Sequence, residues 1–253
     1  MIKDGHDTRV LSHGSKLERS VLLLHGYTHS PAQLDPLAAL FYGKGYNVVV
    51  PRAPGHGLLD PDGHATITAP GLLAYATESL ATATALGAET GVLGVSGGGV
   101  LATWLAARHP GAVRRLVVLA PLYAPHRSQV PPAARPALRV LYGHRLIPDR
   151  RSSRGYSYRA VAQYLRIAAG LPQQFPATGP HRVAAVLAPG DTTVDGDLAF
   201  GLPARIAAAA GAALTLDTLP SQWGLGHDII SAHRLGTLAD ALYRRYVALY
   251  EAS

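Results

Sequence analysis

Short apolar runs alternate along this chain with stretches of helical periodicity. The run Ser20-Val21-Leu22-Leu23-Leu24-His25-Gly26 is continuous in its apolar part and ends in glycine, the pattern of a strand buried on both faces of a parallel sheet. Ser30, Pro31 and Gln33 then have the arrangement of an N-cap, a first-turn proline and a capping-box partner, and Leu34, Leu37, Ala38 and Phe41 recur at helical spacing until Gly43 and Gly45. The rhythm continues with a predicted strand over 47–50, a helix over 72–86, a strand over 91–95, a helix over 100–108 closed by Pro110, and a strand over 116–119. Strands alternating with helices imply βαβ units, whose crossovers cover both faces of the sheet. The pattern predicts an α/β fold with a mostly parallel central sheet.

At Pro121 the rhythm breaks, and it resumes only near Arg182 with the apolar run Val183-Ala184-Ala185-Val186-Leu187-Ala188. Nine of the nineteen prolines fall in that gap, which marks it as something other than another βα unit. An excursion of that length between strands is usually functional, and helical spacing of Val161, Tyr164, Leu165 and Ala168 predicts at least one helix inside it. The expected organisation is an α/β core made of 1–120 and 181–253, with 121–180 inserted as a lid. Beyond the gap, a helix around 202–210, a strand over 213–219 and a terminal helix over about 235–250 complete the reading.

Composition narrows the classes. A chain of 253 residues with 48% hydrophobic and 15% charged positions can bury a sizeable core, as one α/β domain would. It contains no cysteine, so disulfides, thiolate metal sites and a cysteine nucleophile are excluded. The first residues lack the apolar run of a secretory signal and no later run reaches membrane-spanning length. A cytoplasmic protein without stable membrane insertion is therefore expected, a secreted mature form being also compatible.

The net charge of +7 is not spread evenly. Between Pro121 and Pro180 lie nine arginines, Arg127, Arg135, Arg139, Arg145, Arg150, Arg151, Arg154, Arg159 and Arg166, against the single acid Asp149. Tyr123, Tyr142, Tyr156, Tyr158 and Tyr164 fall among them. Interleaved basic and aromatic residues can bind single-stranded nucleic acid. The ordinary expectation is a lid whose aromatic inner surface lines a pocket and whose arginines are solvated or pair with carboxylates of the body, with no nucleic-acid partner. A preference for an anionic substrate or interface is an intermediate reading.

Candidate chemistry centres on Gly94-Val95-Ser96-Gly97-Gly98, a G-x-S-x-G pattern between a predicted strand and a predicted helix. A turn that tight admits only small residues around the serine and points a helix N-terminus at the site. A serine hydroxyl needs a base, and the base an orienting acid. His227, in the flexible loop Gly224-Leu225-Gly226-His227-Asp228, is the candidate base, and Asp191, just past the strand ending at Ala188, the candidate acid, with Asp195 in reserve as a possible helix cap. The oxyanion formed in acyl transfer needs backbone N–H donors, expected from Gly97 and from Tyr27 in the loop His25-Gly26-Tyr27-Thr28. His25 is expected to brace that loop, Trp104 to pack in the core, and Tyr27 and Trp223 to line the substrate pocket. His6, His13, His29, His56 and His64 show no metal-ligand spacing, so neither metal nor cofactor is expected.

Taken together, His25-Gly26-Tyr27, Pro51-Arg52-Ala53-Pro54-Gly55-His56-Gly57, the turn at Ser96, Asp191 and Gly226-His227 resemble the bacterial carboxylesterase and monoacylglycerol-lipase-like branch of the α/β-hydrolases over nearly the whole chain. The resemblance implies a Ser, acid, His order, matched by Ser96, Asp191 and His227, and a lid after the sixth strand, coinciding with the break at Pro121. It implies hydrolysis of a small-molecule ester of short to medium acyl chain. A peptidase, an amidase or a cofactor-free peroxidase uses the same scaffold, and a non-catalytic binding protein can keep it.

Overall fold

The computed structural model describes residues 1–60, 62–152 and 155–252; Arg154, one of the nine arginines, lies outside them. In chain order the regular elements are β1 (Arg9–Leu11), β2 (Leu17–Leu24), α1 (Asp35–Gly43), β3 (Asn47–Val50), α2 (Ala69–Leu86), β4 (Gly87–Val95), α3 (Gly97–Arg108) and β5 (Arg115–Leu119). They continue with α4 (Arg135–Gly143), α5 (Tyr158–Ala169), β6 (Arg182–Leu187), α6 (Gly196–Ala210), β7 (Ala213–Thr218), α7 (Ala232–Leu235) and α8 (Ala239–Glu251). The strands form one sheet in the order β1-β3-β2-β4-β5-β6-β7, parallel throughout except for the antiparallel edge strand β1. Val21 to Leu24, all of β3 and all of β6 are buried, as the continuous apolar runs require of strands covered on both faces.

Chain direction across the sheet reverses between β2 and β4. From β2 the chain goes outward to β3, returns to β4 on the other side, and then advances through β5, β6 and β7. The carboxyl ends of β2 and β4, paired as far as Leu24 and Gly94, therefore flank the switch point. Open α/β sheets present ligand-binding crevices there.

Local chemistry accounts for the places where the elements depart from the sequence expectation. Ser30 and Gln33 do not form a capping box: the Ser30 hydroxyl is bonded to His6 Nδ1, the side chain makes no cap, and the segment opens as a 3-10 turn over Pro31–Leu34 before α1 begins. α6 starts six residues before the expected 202, because Asp195 caps it by accepting the Leu198 N–H at 3.0 Å. The terminal helix is interrupted at Gly236, which has φ 53°, so that α7 and one 3-10 turn precede α8. β1 escaped the periodicity because only three residues pair. Among the described residues, no helix is long and apolar enough to cross a membrane.

The segment between β5 and β6 contains two helices, α4 and α5, in line with the expectation of at least one, and among the described residues it follows the fifth strand where the resemblance implied the sixth. α5 packs against α2 and α3, burying Ala160, Tyr164, Leu165, Ile167 and Ala168. α4 packs in turn on α5. The insertion thus rests on the body chiefly through α5, and the Arg135–Asp195 pair ties the start of α4 to α6 as well.

Candidate active site

Ser96 occupies the single residue between β4 and α3, and the sharpness of that turn forces its backbone to φ 50°, ψ −110°. A non-glycine residue held there stores about 1–3 kcal/mol of strain, which the surroundings must offset. They do so through the backbone: Ser96 N–H donates to Leu119 O at 2.9 Å, and Ser96 O accepts from Leu122 N–H at 3.1 Å. Neighbouring glycines make the approach possible. A Cβ on Gly94 would collide with the Gly98 carbonyl, and one on Gly98 with the Leu24 carbonyl at the end of β2.

The structure brings Ser96, His227 and Asp191 together. Ser96 Oγ lies 2.9 Å from His227 Nε2, and His227 Nδ1 lies 2.8 Å from Asp191 Oδ2. Asp191 follows β6 by way of a turn in which its N–H donates to Ala188 O. Its other oxygen, Oδ1, accepts the N–H groups of Thr193 and Val194 at 2.7 and 3.2 Å. Because a carboxylate only accepts, the proton of the neutral imidazole sits on Nδ1, which leaves Nε2 free to accept the serine proton. The loop carrying His227 packs directly on the loop carrying Asp191, since a Cβ on Gly190 would stand 2.7 Å from Leu225 O. Asp191 is 3% exposed in its side chain and His227 24%, so the carboxylate is shielded while the imidazole is partly open.

Asp195 is not part of this constellation. Besides capping α6, it pairs with Arg135 at 2.8 Å. Partial burial works against its ionisation, but the Leu198 N–H and the Arg135 guanidinium outweigh that and hold its carboxyl below the usual range.

Facing Ser96 across the switch point is the loop after β2. Gly97 stands at the first position of α3, where a helix offers no carbonyl to an N–H, and the Tyr27 N–H has no protein acceptor among the described residues. Three side chains hold this loop. Gln33 Oε1 accepts the Gly26 N–H at 2.9 Å. His25 Nε2 accepts the Ala53 N–H at 3.1 Å, so Nδ1 carries the proton and donates to Gly26 O at 2.9 Å. Burial, with a contribution from neighbouring His56, pushes the His25 pKa down to about 3, keeping it neutral as a brace. Tyr27 donates its hydroxyl to Ser157 O at 3.1 Å and is 7% exposed, tying the loop to the insertion.

Two contributions lie outside the sequence reading. Gln33 Nε2 also donates to Ser231 Oγ at 3.4 Å, and Asp228 Oδ1 accepts the N–H groups of Ile230 and Ser231 at 3.3 and 3.0 Å. Together they join the loop after β2 to the loop that carries His227. The spacing of Gln33 from Ser30 matched a capping box, which hid its actual partner. Trp223 sits half-buried in a 3-10 turn ahead of His227 and packs against the core, while Trp104 on α3 packs there as expected. A cavity of about 880 Å³ borders the loop after β2, with Thr28, His29, His56, Tyr156 and Ser231 among its walls. Tyr27, Ser96 and Trp223 do not line it.

The fold and this arrangement define an α/β-hydrolase. More narrowly, the chain belongs to the family described as serine aminopeptidase, S33, whose model matches residues 15–168, more than half of it. A thermostable monoacylglycerol lipase from Bacillus sp. strain H-257 is 37% identical over 90 residues, and the match spans only about a third of that relative, 36% of each chain. Among solved structures, a metagenome-derived lipolytic enzyme superposes with a TM-score of 0.77 at 20% identity over 100% of both chains. A soluble variant of monoglyceride lipase from Saccharomyces cerevisiae, in complex with a substrate analog, gives 0.68 at 14% identity over 97% of this chain and 92% of its own. At such identities these structures speak to the fold.

Proposed function

We propose that this protein is a carboxylesterase that cleaves short to medium acyl esters through an acyl-enzyme on Ser96. The observation that carries the reading is the unbroken hydrogen-bond chain from Ser96 Oγ through His227 to Asp191. In the acylation step Ser96 Oγ attacks the ester carbonyl carbon and its proton passes to His227 Nε2. The oxyanion forms against the N–H groups of Gly97 and Tyr27, at the N-terminus of α3. Collapse breaks the ester C–O bond, and the departing alcohol takes the proton from His227. Water then repeats the sequence on the acyl-enzyme, releasing the acid and restoring Ser96. Asp191 keeps the imidazole in the required tautomer and stabilises its cationic form.

Residues 121–180 serve as the lid in this reading. Tyr164 of α5 packs over Gly97, where a Cβ would meet its ring at 3.0 Å, and Tyr27 is anchored to Ser157. Tyr27 and Trp223, on two loops of the site, are the proposed substrate contacts. The lipolytic activities named for the relatives support an ester as substrate, and the family description, which names a peptidase, favours amide hydrolysis as the second reading. Neither needs a cofactor. A fluorophosphonate probe is expected to label the folded protein and not Ser96→Ala; absence of label on the wild type would remove the serine-hydrolase reading. Turnover of p-nitrophenyl esters from acetate to laurate, set against p-nitroanilide amides, separates the two substrate classes.

A further inference from the structure

One edge of the central sheet is left bare. β7 is its last strand, and Ala213, Leu214, Leu216 and Thr218 along it are exposed, the two leucines by 39% and 43%. Ala213 and Leu219 donate their N–H groups inward, to His181 O at 2.9 Å and Leu187 O at 2.8 Å. Backbone groups alternate in direction along a strand, so those of Leu214, Leu216 and Thr218 point away from the sheet. Their side chains share one face, since Thr215 and Asp217 occupy the other, bonded to Arg182 and to Arg245 of α8. Natural sheet edges are blunted by lysine, proline or a bulge. β7 holds neither lysine nor proline and pairs with β6 residue for residue without a bulge. Its one charged residue, Asp217, is buried and paired with Arg245.

The limits of this edge indicate what covers it. On one side the Ala212 N–H is taken by Ala207 O, and on the other Pro220 has no N–H to give. Between them stand three outward-facing residues, placed evenly about Leu216. A twofold axis at Leu216 sets that residue against itself in a second copy and Leu214 against Thr218. Each pair then exchanges both N–H···O bonds of an antiparallel ladder, and no outward group of the strand is left over. The leucines of the two copies meet on one face of the joined sheet, and no charge of β7 faces its like. The edge is therefore complementary to itself in length, polarity and charge, which a strand of unrelated sequence need not be. Pairing of this kind also consumes the edge, so that it closes at two copies.

We propose that the protein forms a twofold dimer in which β7 pairs antiparallel with β7 of a second copy, extending one sheet through both molecules. The proposal goes beyond ester hydrolysis and does not depend on it, since assembly needs neither Ser96 nor turnover. Sedimentation velocity over a concentration series tests it, the wild type being expected to pass from monomer to dimer with no larger species. Leu214→Lys combined with Leu216→Lys sets like charges across the axis and is expected to weaken the dimer at least about tenfold, with the circular dichroism spectrum unchanged. Leu216→Pro removes an outward N–H that the ladder with β6 does not use, and is expected to have the same effect. The chain has no cysteine, so a single introduced one reads the register. Leu216→Cys brings two thiols together on Cα atoms about 5.5 Å apart, within disulfide reach, and is expected to give a covalent dimer when oxidised with diamide. Thr218→Cys leaves them more than about 13 Å apart and is expected to give none. A wild type that stays monomeric, a dimer that the lysine substitutions leave intact, open-ended oligomers, or cross-linking through Thr218→Cys but not Leu216→Cys would overturn the proposal.

Discussion

Asp191 and Asp195 lie four positions apart after the same strand, and their surroundings give them different work. Asp191 holds His227, whereas Asp195 caps α6 and pairs with Arg135. Asp191→Asn replaces an acceptor at Oδ2 with a group able to donate, which favours the wrong imidazole tautomer; kcat is expected to fall by about 10⁴-fold, as in comparable triads. Asp195→Asn should leave kcat within about twofold while lowering the melting temperature, because an amide still caps but no longer pairs with Arg135. Steady-state kinetics and a thermal melt on both variants check the pair. Gln33 acts at one remove, through Gly26. Gln33→Leu is expected to lower kcat about tenfold with KM little changed, by loosening the Tyr27 N–H, and Gln33→Glu, which keeps an acceptor at Oε1, to restore most of it. The positions of Ser96 and Asp191 were legible in the sequence because each follows a buried strand, and that of His227 because it stands in a glycine-containing loop between the last strand and the terminal helix. The roles of Gln33 and Asp228 were not, because their partners lie across the loops and the local spacing around Gln33 satisfied a different motif.

Among the elements, those defined by continuous apolar runs could be read directly, and those stabilised by a specific partner could not. β2, β3, β5 and β6 announce themselves because both faces are buried. β1 is only a three-residue edge, and α6 begins with a cap and glycine where no apolar period is present. α4 was not placed within the segment, where at least one helix was expected, because its exposed positions Val140 and Leu141 blur the apolar period. The crossing of α3 over β2 depends on bare backbone at Gly98. Gly98→Ala is expected to separate the two elements and lower stability by at least about 2 kcal/mol, measured by urea denaturation. A variant as stable as the wild type would show that the contact has room to relax.

For the molecule as a whole, acid is the condition under which the site region should fail first. Burial pushes His56 down to about 4, and burial with neighbouring His56 pushes His25 down to about 3. Both stay neutral in the folded protein where the unfolded chain, with an ordinary histidine pKa of about 6.5, is already protonated. Their stabilisation is whole above about pH 6.5 and is lost as pH falls, until about 4 for His56 and about 3 for His25, at about 1.4 kcal/mol per pH unit for each. Urea midpoints at pH 7, 6 and 5 should therefore decline steeply, and His56→Gln should flatten the slope; a midpoint unchanged between pH 7 and 5 would refute the assignment. The distance along the chain from Ser96 to His227, 131 residues, bears on how the molecule is made. When the serine turn leaves a ribosome, Asp191 and His227, the proposed acid and base, have yet to be translated, and so have β6 and β7, which precede them in the chain. Under the proposed function a nascent chain would hold its nucleophile unarmed, and hydrolytic activity would report completion of the C-terminal half, not the formation of the serine turn.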